Sequence, residues 1–541
     1  MSRASRAAAA DFIANEKQFH LGFLPTEQAH PRTADLERRF KDSTLSGVAC
    51  LQNVDHDVLK MAQKVLASET FERFVSAARE TLARRGRIVF SGCGATGRLS
   101  ILLESMWRSA AARYEKLAPY ADCAASIMTG GDYALVRAVE FFEDYQSFGR
   151  RQTAELGVCE KDMFVAITEG GETSSVLGTL SEAADRKARC FLLFNNPADL
   201  LCAKLERSRL AITDPRVTVL DLFCGPMALA GSTRMQATTS EQLIAGAMLE
   251  TVAAELLGLP RPDPAAQFKD VLARLEDAAQ TIARFIDLEA DCYGSGSRIT
   301  YYADRYLLDI FTDTAERTPT FMLTPFKKAD DKDAPEPWAM AKSPIHPTRE
   351  VWQNCFRRGL RCLSWGPEDY REMGGTGKMI SDPPAIDEEE MLRFEVGSEP
   401  VPGRCGRPED TAVLVGWNDE KELCQAFTKQ AAPFPRREKM LFGLDIPDSP
   451  LGLMRHLAVK LFFNTLSTGT MVRLGRVSGN WMSFVAPTNK KLIDRATRLI
   501  ADLGHVDYKT ACELLFEAME SPFDTSPVQL VLKKLASGKG E

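Results

Sequence analysis

Five short apolar runs, each with a helical pattern after it, constrain this chain more than any other feature. They are "RIVFSG" (87–92), "AASIMTG" (124–130), "MFVAIT" (163–168), "CFLLFNN" (190–196) and "VTVLDLF" (217–223). None alternates with polar residues, as a half-solvated strand would. Strands that read as continuous apolar runs are covered on both faces, and helices between them make the crossovers of a parallel sheet. Helical spacing precedes them over 54–84, fills 98–114 and 134–145, resumes from Ser174 and opens a long helix near Thr233. The fold class expected is α/β, doubly wound on a parallel sheet.

A second pass of the same kind begins near Arg298, with "RITYYA", "TPTFML", "RCLSWG" and "TAVLVGW" as candidate strands. The stretch from "KKADDKDAPEPW" to "SPIHPTRE" is rich in proline and charge and reads as an exposed excursion. Two long helices, "TSEQLIAGAMLETVAAELLG" (239–258) and "LAVKLFFNTLSTGTMVRLG" (457–475), stand in equivalent places after each α/β run. This weak internal repeat predicts two tandem flavodoxin-like domains, 56–258 and 259–475, packed as an internal pseudo-dimer. An N-terminal extension (1–55) and a C-terminal helical region (476–541) flank them. A length of 541 residues suits two cores better than one.

Composition narrows the function classes. A net charge of −7 with scattered Lys and Arg gives no nucleic-acid footprint. No apolar run reaches membrane-spanning length, and the first twenty residues lack a secretory apolar core. Thirteen cysteines, without a C-x-x-C pair, read as reduced thiols of a cytoplasmic protein. With six scattered histidines, no metal and no cofactor are expected.

"GCGATGRL" carries Gly92, Gly94 and Gly97 in the GxGxxG spacing. A dinucleotide site also needs an acidic residue at the end of the next strand to hold the ribose, and that strand ends in "TGG". Arg98 directly follows the third glycine, where it would crowd a pyrophosphate but grip a terminal phosphate. The loop therefore reads as a phosphate cradle, in which the amides at the start of the helix near Arg98 favour an anion. A second loop, "TEGGETSS", places Gly170, Gly171, Glu172, Thr173, Ser174 and Ser175 between a strand end and a helix start, a nest suited to phosphate or sugar hydroxyls. A third, "GSTRM", offers Ser232 at the head of the long helix. Plain helix capping accounts for single hydroxyls here, not for the cluster.

The blocks "GCGATGRL", "GGDYALVRAVEFFED", "GSTRMQATTSEQ" and "NTLSTGTMVRLGRVSGNWM" resemble a series shared by the N-acetylmuramic acid 6-phosphate etherases and the glucokinase regulatory protein, members of the sugar isomerase (SIS) superfamily. The resemblance implies SIS domains that bind a hexose or amino-sugar 6-phosphate, and its tandem order is that of the regulatory protein. It places phosphate and sugar at Gly94, Ala95, Thr96 and Arg98, and at Thr168, Gly171, Glu172 and Thr173. It also implies a lysine ahead of N-T-x-S-T-G that reaches the ligand from the second half. That residue is Lys460, and the first repeat copy has Gln242 instead. A sugar kinase is the partner it implies, with no contact residues transferable to this chain.

Etherase chemistry needs an acid/base pair at the sugar. The resemblance places one acid at Glu140, with Glu143 a helical turn later, and the other eight residues after Arg98, which is Met106 here. Methionine transfers no proton, so a sensing or regulatory protein is the leading expectation. An etherase using Glu140 or Glu172, or a sugar-phosphate isomerase, is the rival. In the second half the first strand-to-helix turn, "TYYADRYLLDIF", has no glycine. With Tyr302, Arg305 and Tyr306 at the place of backbone approach, an empty or degenerate pocket is expected there.

Overall fold

The computed structural model describes residues 3–520 and 525–537. Two helices, α1 (Thr44–Leu66) and α2 (Glu69–Ala83), lead into the first sheet. Its strands are β1 (Ile88–Gly92), β2 (Ala124–Met128), β3 (Met163–Ile167), β4 (Arg189–Phe194) and β5 (Val217–Asp221). They lie all parallel in the order β2-β1-β3-β4-β5, the flavodoxin-like doubly wound order. The helices that matter for the site are α3 (Gly94–Arg113), α4 (Gln146–Glu155), α5 (Ser174–Asp185) and α6 (Gln236–Leu257).

The strands read as unbroken apolar runs because the sheet separates two cores. Phe90, Val165 and Leu193 point into one, shared with α2, α3 and α6, and Val89, Phe164 and Leu192 into the other, shared with α5. Successive residues serve opposite faces, so no polar alternation survives.

The second sheet repeats the order one strand shorter. It comprises β6 (Ile299–Tyr302), β7 (Ala339–Lys342), β8 (Thr411–Trp417) and β9 (Arg436–Phe442), parallel throughout in the order β7-β6-β8-β9. Its helices include α7 (Leu307–Phe321), α8 (Thr348–Phe356) and α9 (Leu453–Arg473). The chain closes with α10 (Lys490–Gly504), α11 (Tyr508–Ala518) and α12 (Pro527–Ser537). Their apolar faces form a small core, against which the helix Arg3–Asn15 lays Ala9 and Phe12 beside Cys512.

Four sequence expectations need correction. "TPTFML" is instead the end of α7, which runs to Phe321, and the residues after it, because so short an apolar run cannot be told from a strand by its residues alone. "RCLSWG" forms only an isolated bridge, Leu363 to Ile386. The exposed excursion hides β7, whose terminal Lys342 is buried and donates to the carbonyls of Glu395 and Glu399 (3.2 and 3.0 Å). The helix expected over 134–145 is two 3-10 turns, Asp132–Leu135 and Glu140–Phe142, with α4 after them, so Glu140 and Glu143 share no α-helical face.

A single apolar core runs through both sheets' inner helices. A chain of buried charges crosses it. Arg234, at the head of α6, donates to Asp313 of α7 (2.8 Å) and to Thr468 of α9 (3.0 Å). Asp313 also accepts from Arg317 (2.8 Å) and from Ser467 (2.8 Å), and Arg317 donates to Glu289. Burial alone would push Arg317 down, but Glu289 and Asp313 hold it charged. Removing one partner of a buried ion set strands the others in low dielectric. Arg317→Met should therefore cost about 3–5 kcal/mol in urea-denaturation midpoints; a loss below about 1 kcal/mol would show that these charges do not hold the core together.

Candidate functional site

The carboxyl ends of β1 and β3 flank the topological switch point of the first sheet, where ligands of open α/β sheets bind. A cavity of about 110 Å³ lies there. Its walls come from three separated parts of the chain. The β1–α3 turn supplies Cys93, Gly94, Ala95 and Arg98, and the loops after β2 and β3 supply Thr129, Glu143, Glu169 and Thr173. The turn before α6 supplies Gly231 to Arg234. From the second half comes Glu316 of α7, and from α10 come Lys491 and Arg495.

Two glycines are required by geometry. Gly94 has φ +54°, and only the Glu316 carboxylate stands near its missing Cβ (3.7 Å). Gly231 has φ +76° and would drive a Cβ to 2.8 Å from Arg495 Nε, so its absence of side chain admits the guanidinium.

Of the residues named from sequence, Gly94, Ala95, Arg98, Glu143, Thr173 and Ser232 line this cavity. Thr96, Thr168, Gly171 and Glu172 lie behind it. Thr96 is committed to capping, its hydroxyl accepting from the Cys93 amide (3.0 Å) and donating to the Cys93 carbonyl (2.9 Å). Thr168 donates to Thr173 (3.1 Å), and the Gly171 carbonyl accepts from Ser208 (2.8 Å). Glu172 accepts from Arg207 (2.6 Å) and faces Lys491 (3.4 Å). Burial would raise its carboxyl, but Lys491 and Arg207 hold it below the usual range, which suits a fixed anion rather than a proton donor. The side chain of Glu140 lies outside the described residues.

Lys460 does not reach this cavity. It is buried between α6 and α9, donating to the Arg234 carbonyl (2.8 Å), Thr239 (2.9 Å) and Asn464 (2.7 Å). Burial and the nearby Arg234 charge push it down to about 7. Its contact is with the turn that carries Ser232, from behind.

The cation facing the cavity from afar is Lys491 instead. Burial would lower it, but Glu172, Glu143 and Glu27 hold it strongly protonated. Arg495 beside it is gripped by Glu27 (2.9 and 2.6 Å), whose carboxyl, despite burial, is drawn down to about 2. The N-terminal segment thereby straps α10 over the first sheet. The sequence signal was the i,i+4 pair Lys491/Arg495 on an amphipathic helix, a pattern common on solvated faces.

Arg98 is fully buried. It donates to the carbonyls of Leu135 and Ala134 (both 2.9 Å) and to Glu316. Glu316 follows its strand end, Tyr302, by 14 residues, the interval at which Met106 follows Gly92. The position held by Met106 in the first half is thus a carboxylate in the second, and that carboxylate serves the first half's cavity. Met106 itself faces away, into a second cavity. Glu104 is also elsewhere, accepting from Arg108, Arg358 and Ser126.

Two groups on the wall are chemically poised. The Ser232 hydroxyl is buried with no hydrogen-bond partner. Glu169 is pushed up to about 7 by burial, against the pull of Lys491. A raised carboxyl favours folding only while protonated, so its contribution is complete below pH 4.5 and is lost as pH climbs to about 7. Glu169→Gln should therefore stabilise the protein by about 3 kcal/mol at pH 8 and leave it unchanged at pH 4, read from urea midpoints. Equal effects at both pH values would disprove the raised carboxyl.

No cluster of His, Cys, Asp and Glu among the described residues is placed to hold a metal ion, and none of their helices is long and apolar enough to cross a membrane. All thirteen cysteines are free thiols.

Residues 69–184 match the family model of the glucokinase regulatory protein N-terminal SIS domain. N-acetylmuramic acid 6-phosphate etherase 1 of Bacillus licheniformis is 29% identical over 239 residues, covering 44% of this chain and 71% of the relative. The N-acetylmuramic acid 6-phosphate etherase of Yersinia pestis is 30% identical over 238 residues, covering 44% and 73%. Among solved structures, the C-terminal domain of glucosamine-fructose-6-phosphate aminotransferase from Francisella tularensis is 12% identical, with a TM-score of 0.43 over 80% of this chain and 98% of that one. With nearly three quarters of an etherase matched at 30% identity, and a glycine turn at the switch point of the matched sheet, the chain belongs to the SIS-domain family of the N-acetylmuramic acid 6-phosphate etherases and the glucokinase regulatory protein.

Proposed function

We propose that the first cavity binds a hexose or amino-sugar 6-phosphate and that the protein acts as a sensor of it. The observation that carries this reading is the convergence of Arg98 and Lys491, from opposite ends of the chain, on one cavity whose Ser232 hydroxyl lacks a partner. Both cations are neutralised by protein carboxylates, Arg98 by Glu316 and Lys491 by Glu172 and Glu143. A phosphate group competes with those carboxylates and is the better bidentate partner for a guanidinium.

The volume supports a sensing role. About 110 Å³ is well below the roughly 300–1,000 Å³ of small-molecule sites. A hexose phosphate therefore enters only as Glu316 or α10 gives way, and either shift moves one part of the chain against another. The two halves then behave as an internal pseudo-dimer whose contact reports the ligand, with a partner protein, a sugar kinase by family resemblance, as the reader.

One observation favours a second reading as an etherase. Glu316 stands at the family's acid position, supplied across the halves, and Glu169 in the same cavity exchanges its proton near neutrality. Two carboxyls facing one cavity are what acid/base elimination of lactate requires.

Calorimetry with fructose 6-phosphate and glucosamine 6-phosphate tests the site. Arg98→Ala and Lys491→Ala should each weaken binding about 10–100-fold, the worth of a charge-assisted contact, and Lys460→Ala should weaken it less than Lys491→Ala. Unchanged affinity in both of the first two variants would remove the proposed site. Release of D-lactate from N-acetylmuramic acid 6-phosphate, abolished by Glu316→Gln, would replace the sensor by the etherase.

A further inference from the structure

Arg98 is aimed at the first cavity by a turn that the other half holds in place. It donates through Nε to the Leu135 carbonyl and through Nη2 to that of Ala134 (both 2.9 Å). Both acceptors belong to the 3-10 turn Asp132–Leu135, and Ala134 also lines the cavity. A guanidinium fixed by two carbonyls goes where their turn goes. Four residues in 3-10 geometry, with its poorer hydrogen bonds, are a weak support on their own.

The second half supplies the missing rigidity. Helix α8 lines the second sheet's cavity of about 740 Å³, which Arg305 and Tyr306 line without filling. The segment after α8 then crosses to the first half. There the Arg358 guanidinium grips the Asp132 carboxylate with two bonds (2.5 and 3.0 Å) and donates through Nε to Glu104 of α3 (3.0 Å). Burial would lower Arg358, but Asp132 and Glu104 hold it charged. Arg361 adds a reciprocal backbone pair. Its amide donates to the Asp132 carboxylate (2.6 Å), and its carbonyl accepts from the Asp132 amide (3.1 Å). Gly131, at φ +72°, would place a Cβ 2.9 Å from that same carbonyl, so a glycine is needed to admit the segment. Further along, Phe394 meets Tyr133 edge-on and Trp365 stacks on Phe142, with ring centroids 5.7 and 5.9 Å apart.

Covering an open strand edge does not account for this arrangement. β2 is an edge of the first sheet, and the contacts of Arg358 and Arg361 with Ser126 (3.3 and 3.4 Å) would suffice to cover it. The two-bond grip lies beyond the strand, on the turn. Neither Arg358 nor Asp132 lines the cavity, so both act on it through other groups.

We propose that Arg358 is a positioning residue of the first cavity: supplied by the second half, it sets Arg98 toward a bound phosphate by pinning the Asp132–Leu135 turn. The inference rests on the reading of that cavity as a sugar-phosphate site. Calorimetric titration of the full chain with fructose 6-phosphate tests it. Arg358→Met, and the milder Asp132→Asn, which keeps the side chain's shape, should each weaken binding roughly tenfold. In an Arg98→Ala background neither change should weaken it further, because the group they position is gone. Arg404→Met removes another buried arginine of the second half, one that holds Thr300 and the carbonyls of Pro337 and Ile299. It should lower the urea midpoint and leave the affinity unchanged. An undiminished loss in the Arg98→Ala background, or an equal loss in Arg404→Met, would overturn the proposal. Failure of the unmodified protein to bind fructose 6-phosphate would remove the sugar-phosphate reading and this inference together. Binding that Asp132→Asn leaves unchanged would remove this inference alone.

Discussion

The contact between the two halves governs the rest of the structure. Along it run the charges from Arg234 through Asp313 and Arg317 to Glu289, each less than a tenth exposed. A hydrophobic replacement of such a set often folds as well or better, so its presence does not explain stability by itself. It does fix register: guanidinium and carboxylate must meet within a fraction of an ångström, whereas apolar helices can slide by a rotamer. That register sets which side chain of α7 reaches the first cavity and which of α3 reaches the second.

Within the first cavity the same logic holds on a smaller scale. Arg98, Lys491 and Arg495 would repel one another in a dry site, and Glu316, Glu172 and Glu27 compensate them. Desolvation and attraction nearly cancel for buried pairs, so exchanging a protein carboxylate for an incoming phosphate carries little net cost. Glu27 is the exception. Its carboxyl at about 2 marks a pair that stays formed, and it is the one that holds α10 down rather than the one a ligand would displace.

How much of this was legible in the residues follows from where each signal lay. The first sheet was readable because its strands are apolar on both faces. In the second, β6 and β8 were readable on the same ground, but β7 and β9 were not, because β7 ends in buried Lys342 and β9 is an edge strand of charges around Met440 and Phe442. The glycine turn at 92–97 and the Ser232 turn could be found because both are local. Thr96 and Thr168 could not be told from ligand contacts, since a hydroxyl that caps a helix and one that faces a ligand have the same spacing. Lys491 and Glu316 were missed because each acts far from its own sequence neighbourhood, and Lys460 was chosen over Lys491 because it sat in the more distinctive block.

The position of Met106 is the most instructive of these. Counting along α3 from Arg98 reaches Met106, and the absence of a carboxylate there suggests an inert crevice. The count is sound, but α3 feeds its own cavity only through its first two turns, and its later residues serve the other half. In a symmetric pair of identical chains the distinction has no consequence, because both cavities receive the same residue. In two tandem units of one chain the residues can differ, and each cavity here takes its strand-end turn from one half and its opposing side chain from the other. Methionine at 106 therefore describes the second crevice, and glutamate at 316 describes the first.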